Sequence, residues 1–93
     1  MINSNEYFEG NVKSLGYSTN KGKSTIGVME EGEYEFSTSS YETMTVIEGR
    51  LDVQYPDQDN WKSYNNGGSF EVEANSSFKV KAVGQTSYLC QYE

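Results

Sequence analysis

Histidine is absent from the 93-residue sequence, so any chemistry must be built from carboxylates, hydroxyls, aromatic rings and a few cations. A metal held by imidazoles is excluded. A thiol nucleophile with an imidazole base is excluded as well, and the single Cys90, in the apolar-rich run TSYLCQY, reads as a small buried residue. The most suggestive group is Tyr34, Phe36 and Thr38, which recur at period two and share one strand face, followed by Glu42 seven positions before Gly49. Rings on one face can stack on a flat ligand. A hydroxyl can donate to an anion, and a carboxylate can accept hydroxyls or stabilise positive charge. Lys13, Lys23 and Arg50 are the cations best placed to hold an anion, which needs cations or backbone donors. Each of these residues also has an ordinary reading: core packing for the rings, a solvated rim carboxylate for Glu42, solvated surface charge for the cations. Tyr88 either bonds a ligand through its hydroxyl or is a strand residue with that hydroxyl satisfied internally.

Short alternating strands must position these groups. The pattern predicts strands at Asn11–Ser18, Ser24–Met29, Glu33–Thr38, Glu42–Glu48, Leu51–Tyr55, Trp61–Tyr64, Ser69–Glu73, Ser77–Ala82 and Thr86–Tyr92. Turns fall at Asn20–Gly22, Glu30–Gly32, Ser39–Tyr41 and Asn65–Gly68, and Gly49-Arg50 reads as a hairpin. No stretch carries a helical period with a cap. Eight Tyr, four Phe and one Trp suit pleated sheet. The expected fold is all-β, a sandwich or a barrel, with the barrel favoured because closure removes sheet edges. Residues 1–93 are expected to form a single domain. So short a chain buries only about 60–65% of its unfolded surface, which favours association into a homodimer. The first six or so residues are expected to be mobile unless they pair with a neighbouring subunit.

The net charge is −7 and the lysines are scattered, so nothing here suits a nucleic-acid backbone. No apolar run approaches the roughly 18–20 residues that span a bilayer, and the start MINSNEYFEG lacks the basic and apolar parts of a signal peptide. A cytoplasmic location is expected, in keeping with a lone cysteine.

Gly32, the Tyr34-Phe36-Thr38 face and Glu42-x6-Gly49, followed by Gly68-x5-Ala74 and Ser76, resemble the two signature stretches of the cupin superfamily. Thr38 and Phe36 stand where that pattern has two histidines, Ala74 where it has proline and Lys79 where it has a third histidine. The scaffold pattern is present and the metal ligands other than the carboxylate are not. A longer succession carries a more specific likeness: SNEYF, VKS, GVM, EGEY, FST, Glu42, MTVI, Gly49, Leu51, Pro56-Asp57, Trp61, TSYLC and Tyr92, in order from Ser4 to Tyr92. This resembles the small single-domain pyrimidine/purine nucleoside phosphorylases.

The resemblance implies a single cupin-like (jelly-roll) β-barrel that needs no metal or cofactor. It implies that nucleosides and orthophosphate are the partners. Orthophosphate would attack the anomeric carbon of purine and pyrimidine nucleosides, giving free base and ribose 1-phosphate. The cupin pattern turns Glu42, Met44 and Val46 inward, with Tyr34, Phe36 and Thr38 facing them. In that setting Glu42 is the candidate to hold the ribose hydroxyls or stabilise charge on the sugar, with Thr38 donating to phosphate. Tyr34, Phe36 and Tyr88 are the candidates to bind the base. Lys13, inside a matched segment, and Lys23, beside the Gly22 turn, are the candidates for phosphate. Two other readings fit the residues: a metal-free cupin module that binds a small ligand without chemistry, and a scaffold acting through its sheet edges.

Overall fold

The computed structural model describes residues 2–93. Ten strands follow one another: β1 (Asn3–Tyr7), β2 (Val12–Thr19), β3 (Gly22–Met29), β4 (Gly32–Ser37), β5 (Glu42–Glu48), β6 (Arg50–Gln54), β7 (Lys62–Asn65), β8 (Ser69–Val72), β9 (Ser77–Ala82) and β10 (Thr86–Tyr92). The larger sheet has the order β1-β2-β3-β10-β5-β8 and the smaller β4-β9-β6-β7. The fold is all-β and cupin-like; its ladders form two sheets rather than one closed cylinder, so the architecture is a sandwich. Among the described residues no helix is long and apolar enough to cross a membrane.

Alternation decides which side of each strand is buried. In β5, Met44 and Val46 face the interior, in β9 Phe78, Val80 and Ala82, and in β6 Leu51 and Val53. Fully burying one such aliphatic side chain contributes about 1.5–3 kcal/mol. The aromatics gather at one side of this core, where Phe36 and Phe78 stack with centroids 5.8 Å apart and Phe70 meets Phe78 edge-on.

Two sequence expectations are corrected. Gly49-Arg50 is not a hairpin: β5 pairs with β10 and β8, whereas β6 pairs with β9 and β7, so the chain crosses between sheets there. Gly49 adopts φ +116°, which a side chain resists. The polar backbone at the crossing is satisfied from elsewhere. The Asn66 carboxamide oxygen accepts the Gly49 N–H at 2.8 Å, and the Thr86 hydroxyl accepts the Arg50 N–H at 3.2 Å. The glycine signal was real, but a turn and a crossing look alike when the pairing partners are unknown. The second correction concerns the N-terminus. Asn3–Tyr7 pairs antiparallel with Val12–Gly16 of the same chain, so the expected mobility of the first six residues does not apply from Asn3 onward; Met1 lies outside the described residues. The polar segment NSNEY has no apolar alternation to announce a strand. A tight 3-10 turn with positive φ at Phe8 and Glu9 returns it to β2.

A Cβ at Gly49 would lie 2.6 Å from the Thr86 hydroxyl oxygen and 3.0 Å from the Gln85 carbonyl oxygen. Gly49→Ala is therefore expected to lower unfolding stability by about 1–3 kcal/mol, read as a fall in the urea midpoint at constant slope. An unchanged midpoint would show that the crossing does not depend on this glycine.

Candidate functional site

The inner face of the larger sheet is built in rows where β3, β10 and β5 lie side by side. Gly27, Tyr88 and Val46 form one row, with Ser14 of β2 beyond Gly27. Thr25, Cys90 and Met44 form the next, and Tyr92 pairs with Glu42 in the third. Gly27 has a steric role. A Cβ there would fall 2.5 Å from the Tyr88 hydroxyl, so its absence lets the Tyr88 ring lie along the sheet toward Ser14.

Between this face and β4 and β9 lies a cavity of about 230 Å³, open to solvent on one side. That is just under the roughly 300–1,000 Å³ of small-molecule pockets, and the opening lets part of a ligand extend outside. Glu42, Tyr88, Cys90 and Tyr92 face Phe36 and Phe78 across it, with Ser14, Thr25 and Ser39 among its polar walls. The interior is thus not plugged by its own side chains.

The electrostatics are those of a carboxylate among neutral donors. Burial raises the Glu42 carboxyl above its ordinary range, and the Cys90 thiol pulls it part of the way back. Cys90 donates through Sγ to Glu42 Oε1 at 3.4 Å. Burial, and then the charge of Glu42, push that thiol up to about 12. The Tyr88 hydroxyl is also pushed up to about 12, chiefly by burial, and burial raises Tyr92 further still. The Tyr92 hydroxyl shares a 3.2 Å hydrogen bond with the Thr25 hydroxyl. At neutral pH all three groups are protonated and able to donate. Among the described residues Glu42 is in no ion pair; the two present join Lys13 to Glu6 and Arg50 to Asp52.

Of the residues expected to act, Glu42, Phe36 and Tyr88 meet in this cavity. Tyr34 is buried behind Phe36 with ring centroids 6.3 Å apart, and its hydroxyl donates to the Glu30 carbonyl at 2.8 Å. Thr38 is buried at the end of β4; its hydroxyl donates to the Glu73 carbonyl at 2.6 Å and accepts the Ser76 N–H at 3.0 Å. It ties down the 73–76 turn and is not part of the cavity wall. Lys13 projects from the solvent face of β2, opposite Ser14, where its ammonium lies 3.5 Å from a Glu6 carboxylate oxygen. Lys23 lines an open groove that shares Thr25, Ser39 and Tyr92 with the cavity, and so stands at its mouth. Sequence reasoning missed Ser14, Thr25 and Tyr92, and read Cys90 only as a buried residue. The period-two series Tyr88, Cys90, Tyr92 was legible in β10; the register that sets it against Glu42 was not.

Residues 2–92 match the family model described as pyrimidine/purine nucleoside phosphorylase. A protein of that name from Aeromonas salmonicida is 49% identical over 99% of this chain and 98% of its own length. One from Teredinibacter turnerae is 53% identical over 100% of this chain and 99% of its own length. A crystal structure of a Vibrio parahaemolyticus protein of unknown function has TM-score 0.97 at 44% identity, covering 100% of this chain and 99% of that one. The Clostridium difficile EutQ protein has TM-score 0.71 at 16% identity over 85% of this chain and 64% of that one, a likeness of fold alone.

The raised Glu42 carboxyl has a consequence for stability. The folded chain holds that proton more tightly than the unfolded chain, so stability is lost as pH rises from the unfolded to the folded titration range. Glu42→Gln removes the loss. It is expected to raise the melting temperature near pH 7 and to match the wild type near pH 4, about the value of an exposed glutamate. A gain that persisted at the acid end would have a cause other than charge.

Proposed function

The chain belongs to the pyrimidine/purine nucleoside phosphorylase family, and from that premise we propose that its cavity cleaves purine and pyrimidine nucleosides with orthophosphate, releasing free base and ribose 1-phosphate. The observation that carries this reading is a half-buried carboxylate, Glu42, sharing one cavity with a stacking ring, Phe36, and with Lys23 at the mouth. A phosphate oxygen forms a bond to the anomeric carbon as the bond from that carbon to the base nitrogen breaks, and the bonding pair leaves with the base. The sugar passes through an oxocarbenium-like state, as in glycoside hydrolysis.

Glu42 takes the ribose hydroxyls and faces the positive charge that develops on the sugar. Lys23 holds phosphate, with the Thr25 and Ser39 hydroxyls that cavity and groove share. Phe36 stacks on the base, and stacking accepts purines and pyrimidines alike because both present a flat π-face. Tyr88, whose hydroxyl burial pushes further from ionisation, donates a hydrogen bond to the departing base. Tyr34 and Thr38 support the site from behind, one bracing Phe36 and the other holding the 73–76 turn. Lys13, on the solvent face, takes no part.

The protein is proposed to act in the cytoplasm as a homodimer joined through the outer face of the larger sheet. Leu15, Ile26 and Leu89 form one cross-strand row on that face, and Leu15, Ile26, Val28 and Ile47 are exposed. The outward residues of β3 and β10 carry no charge, although the chain has net charge −7, and Lys13, paired with Glu6, stands at the edge of the patch beside Val28. A second copy is the partner that such a chain would otherwise repel.

Uridine with phosphate should yield uracil and ribose 1-phosphate, and omitting phosphate should abolish release; release without phosphate would mark a hydrolase, and no release a binding module. Glu42→Ala is expected to lower kcat about 10²–10³-fold, the loss typical of removing one group that stabilises transition-state charge. Lys23→Ala should raise the KM for phosphate while leaving that for uridine nearly unchanged, and Lys13→Ala should change neither. Light scattering should report a dimer that Ile26→Asp converts to monomer; a monomeric wild type would remove the outer face from consideration.

A further inference from the structure

The one side chain among the described residues that donates a hydrogen bond to the Glu42 carboxylate is a thiol, and the proposed reaction does not use it. Cys90 is 2% exposed and lies on β10, in the row next to the Tyr92–Glu42 pair. Its Sγ reaches Glu42 Oε1 at 3.4 Å. Packing alone would be served by any small apolar residue, since free cysteine in a core behaves as a small hydrophobe. A polar group in such a place is retained at a desolvation cost unless it bonds. Here the bond goes to the carboxylate that the proposed reaction depends on.

We propose that Cys90 is a positioning residue: its thiol holds one oxygen of Glu42 against β10 and so aims the other into the cavity toward the ribose. This rests on the role given to Glu42 above. The choice of sulfur has a physical logic. A carboxylate that must respond to charge on a sugar needs orientation, yet a strong or cationic donor would neutralise the very charge it offers. A thiol is a weak donor. It fixes direction while leaving most of the negative charge available. The titratable neighbours of Glu42 do not compete for the role. Cys90, Tyr88 and Tyr92 face it from β10, the last two as rings in the cavity wall, and all three are kept protonated. From β8 its partner is Val72, which has nothing to titrate. From β3, Lys23 stands at the mouth, and no ion pair joins it to Glu42 among the described residues.

The test uses Cys90→Ala, Cys90→Val and Cys90→Ser in the full chain, with folding checked by urea titration. The first two abolish the donor at different volumes, so a fold defect in one leaves the other to decide. The serine variant restores a donor. A first readout needs no activity: the carbon-13 shift of the Glu42 carboxyl is followed against pH. The thiol bond lowers that titration, so the midpoint should move to higher pH in the alanine and valine variants. It should return to or below the wild-type value in the serine variant. A second readout is the pH profile of kcat/KM for uridine phosphorolysis, whose acid limb should shift in the same direction. With it, kcat should fall about tenfold in the non-donor variants, within the roughly hundredfold that a misplacement of about 1 Å can cost. Serine should recover most of it.

An unmoved Glu42 midpoint in both non-donor variants would overturn the proposal. So would a serine variant as slow as alanine. If the wild type cleaved no nucleoside, the proposed reaction would fail by itself, and the carbon-13 titration would still decide whether the thiol holds the carboxylate.

Discussion

A carboxylate drawn half out of water with no cation beside it is costly, and the larger sheet is arranged around bearing that cost. Charge of this kind persists only where dipoles compensate it or where the proton affinity rises. Both happen at Glu42. Its carboxyl is raised by burial, and β10 presents three polar side chains to the same cavity at alternate positions, Tyr88, Cys90 and Tyr92. Each is protonated at neutral pH, and burial moves it further from ionisation, so each is a donor rather than a competing anion. The alternation of one strand therefore supplies the polar lining, and the pairing of Tyr92 with Glu42 fixes where the charge sits within it.

The cavity lies between the two sheets of the sandwich. Between β5 and β6 the chain leaves one sheet for the other at Gly49, and the Thr86 and Asn66 side chains satisfy the backbone that a hairpin would have paired. Apolar packing at the far side, with Leu51, Val53, Val46 and Val80 fully buried, holds the layers together. On the near side the rings of Phe36 and Phe78 face Ser14 and Thr25 across the cavity. Gly27 shows what one missing side chain does, since the Tyr88 ring occupies the space a Cβ would take.

Much of this was legible in the sequence because period two is a property of the chain alone. The nine expected strands are all present, Glu42 and Phe36 line the cavity on the inward face expected of them, and Tyr88 lines it too. What escaped was information held by pairs of strands. Nothing in NSNEY shows that it lies on VKSLG, because an edge strand with two wet faces has no apolar alternation. Gly49-Arg50 carries the composition of a hairpin and makes a crossing. Thr38 shares a face with Tyr34 and Phe36, yet the neighbouring 73–76 turn captures its hydroxyl. Lys13 lies inside a matched segment and Lys23 beside a turn, yet the sheet sets Lys13 on its outer face against Glu6 and puts Lys23 on the groove that adjoins the cavity.

The neutrality of the surroundings matters for the reaction proposed. A carboxylate already paired with lysine or arginine gains little when positive charge appears nearby, since its field is spent in the ground state. Glu42 forms no ion pair among the described residues and its one side-chain donor is a weak, uncharged thiol, so in the proposed reaction the sugar's developing charge would meet a carboxylate not already paired. Interactions that strengthen between ground and transition state accelerate a step, whereas those equal in both do not. Burial sharpens the contrast, because the same separation of charge is worth more in a medium of low dielectric. The feature that makes Glu42 destabilising to the resting fold is thus, in the proposed reaction, the feature that would let it favour the oxocarbenium-like sugar, and stability and turnover should move in opposite directions when its charge is removed.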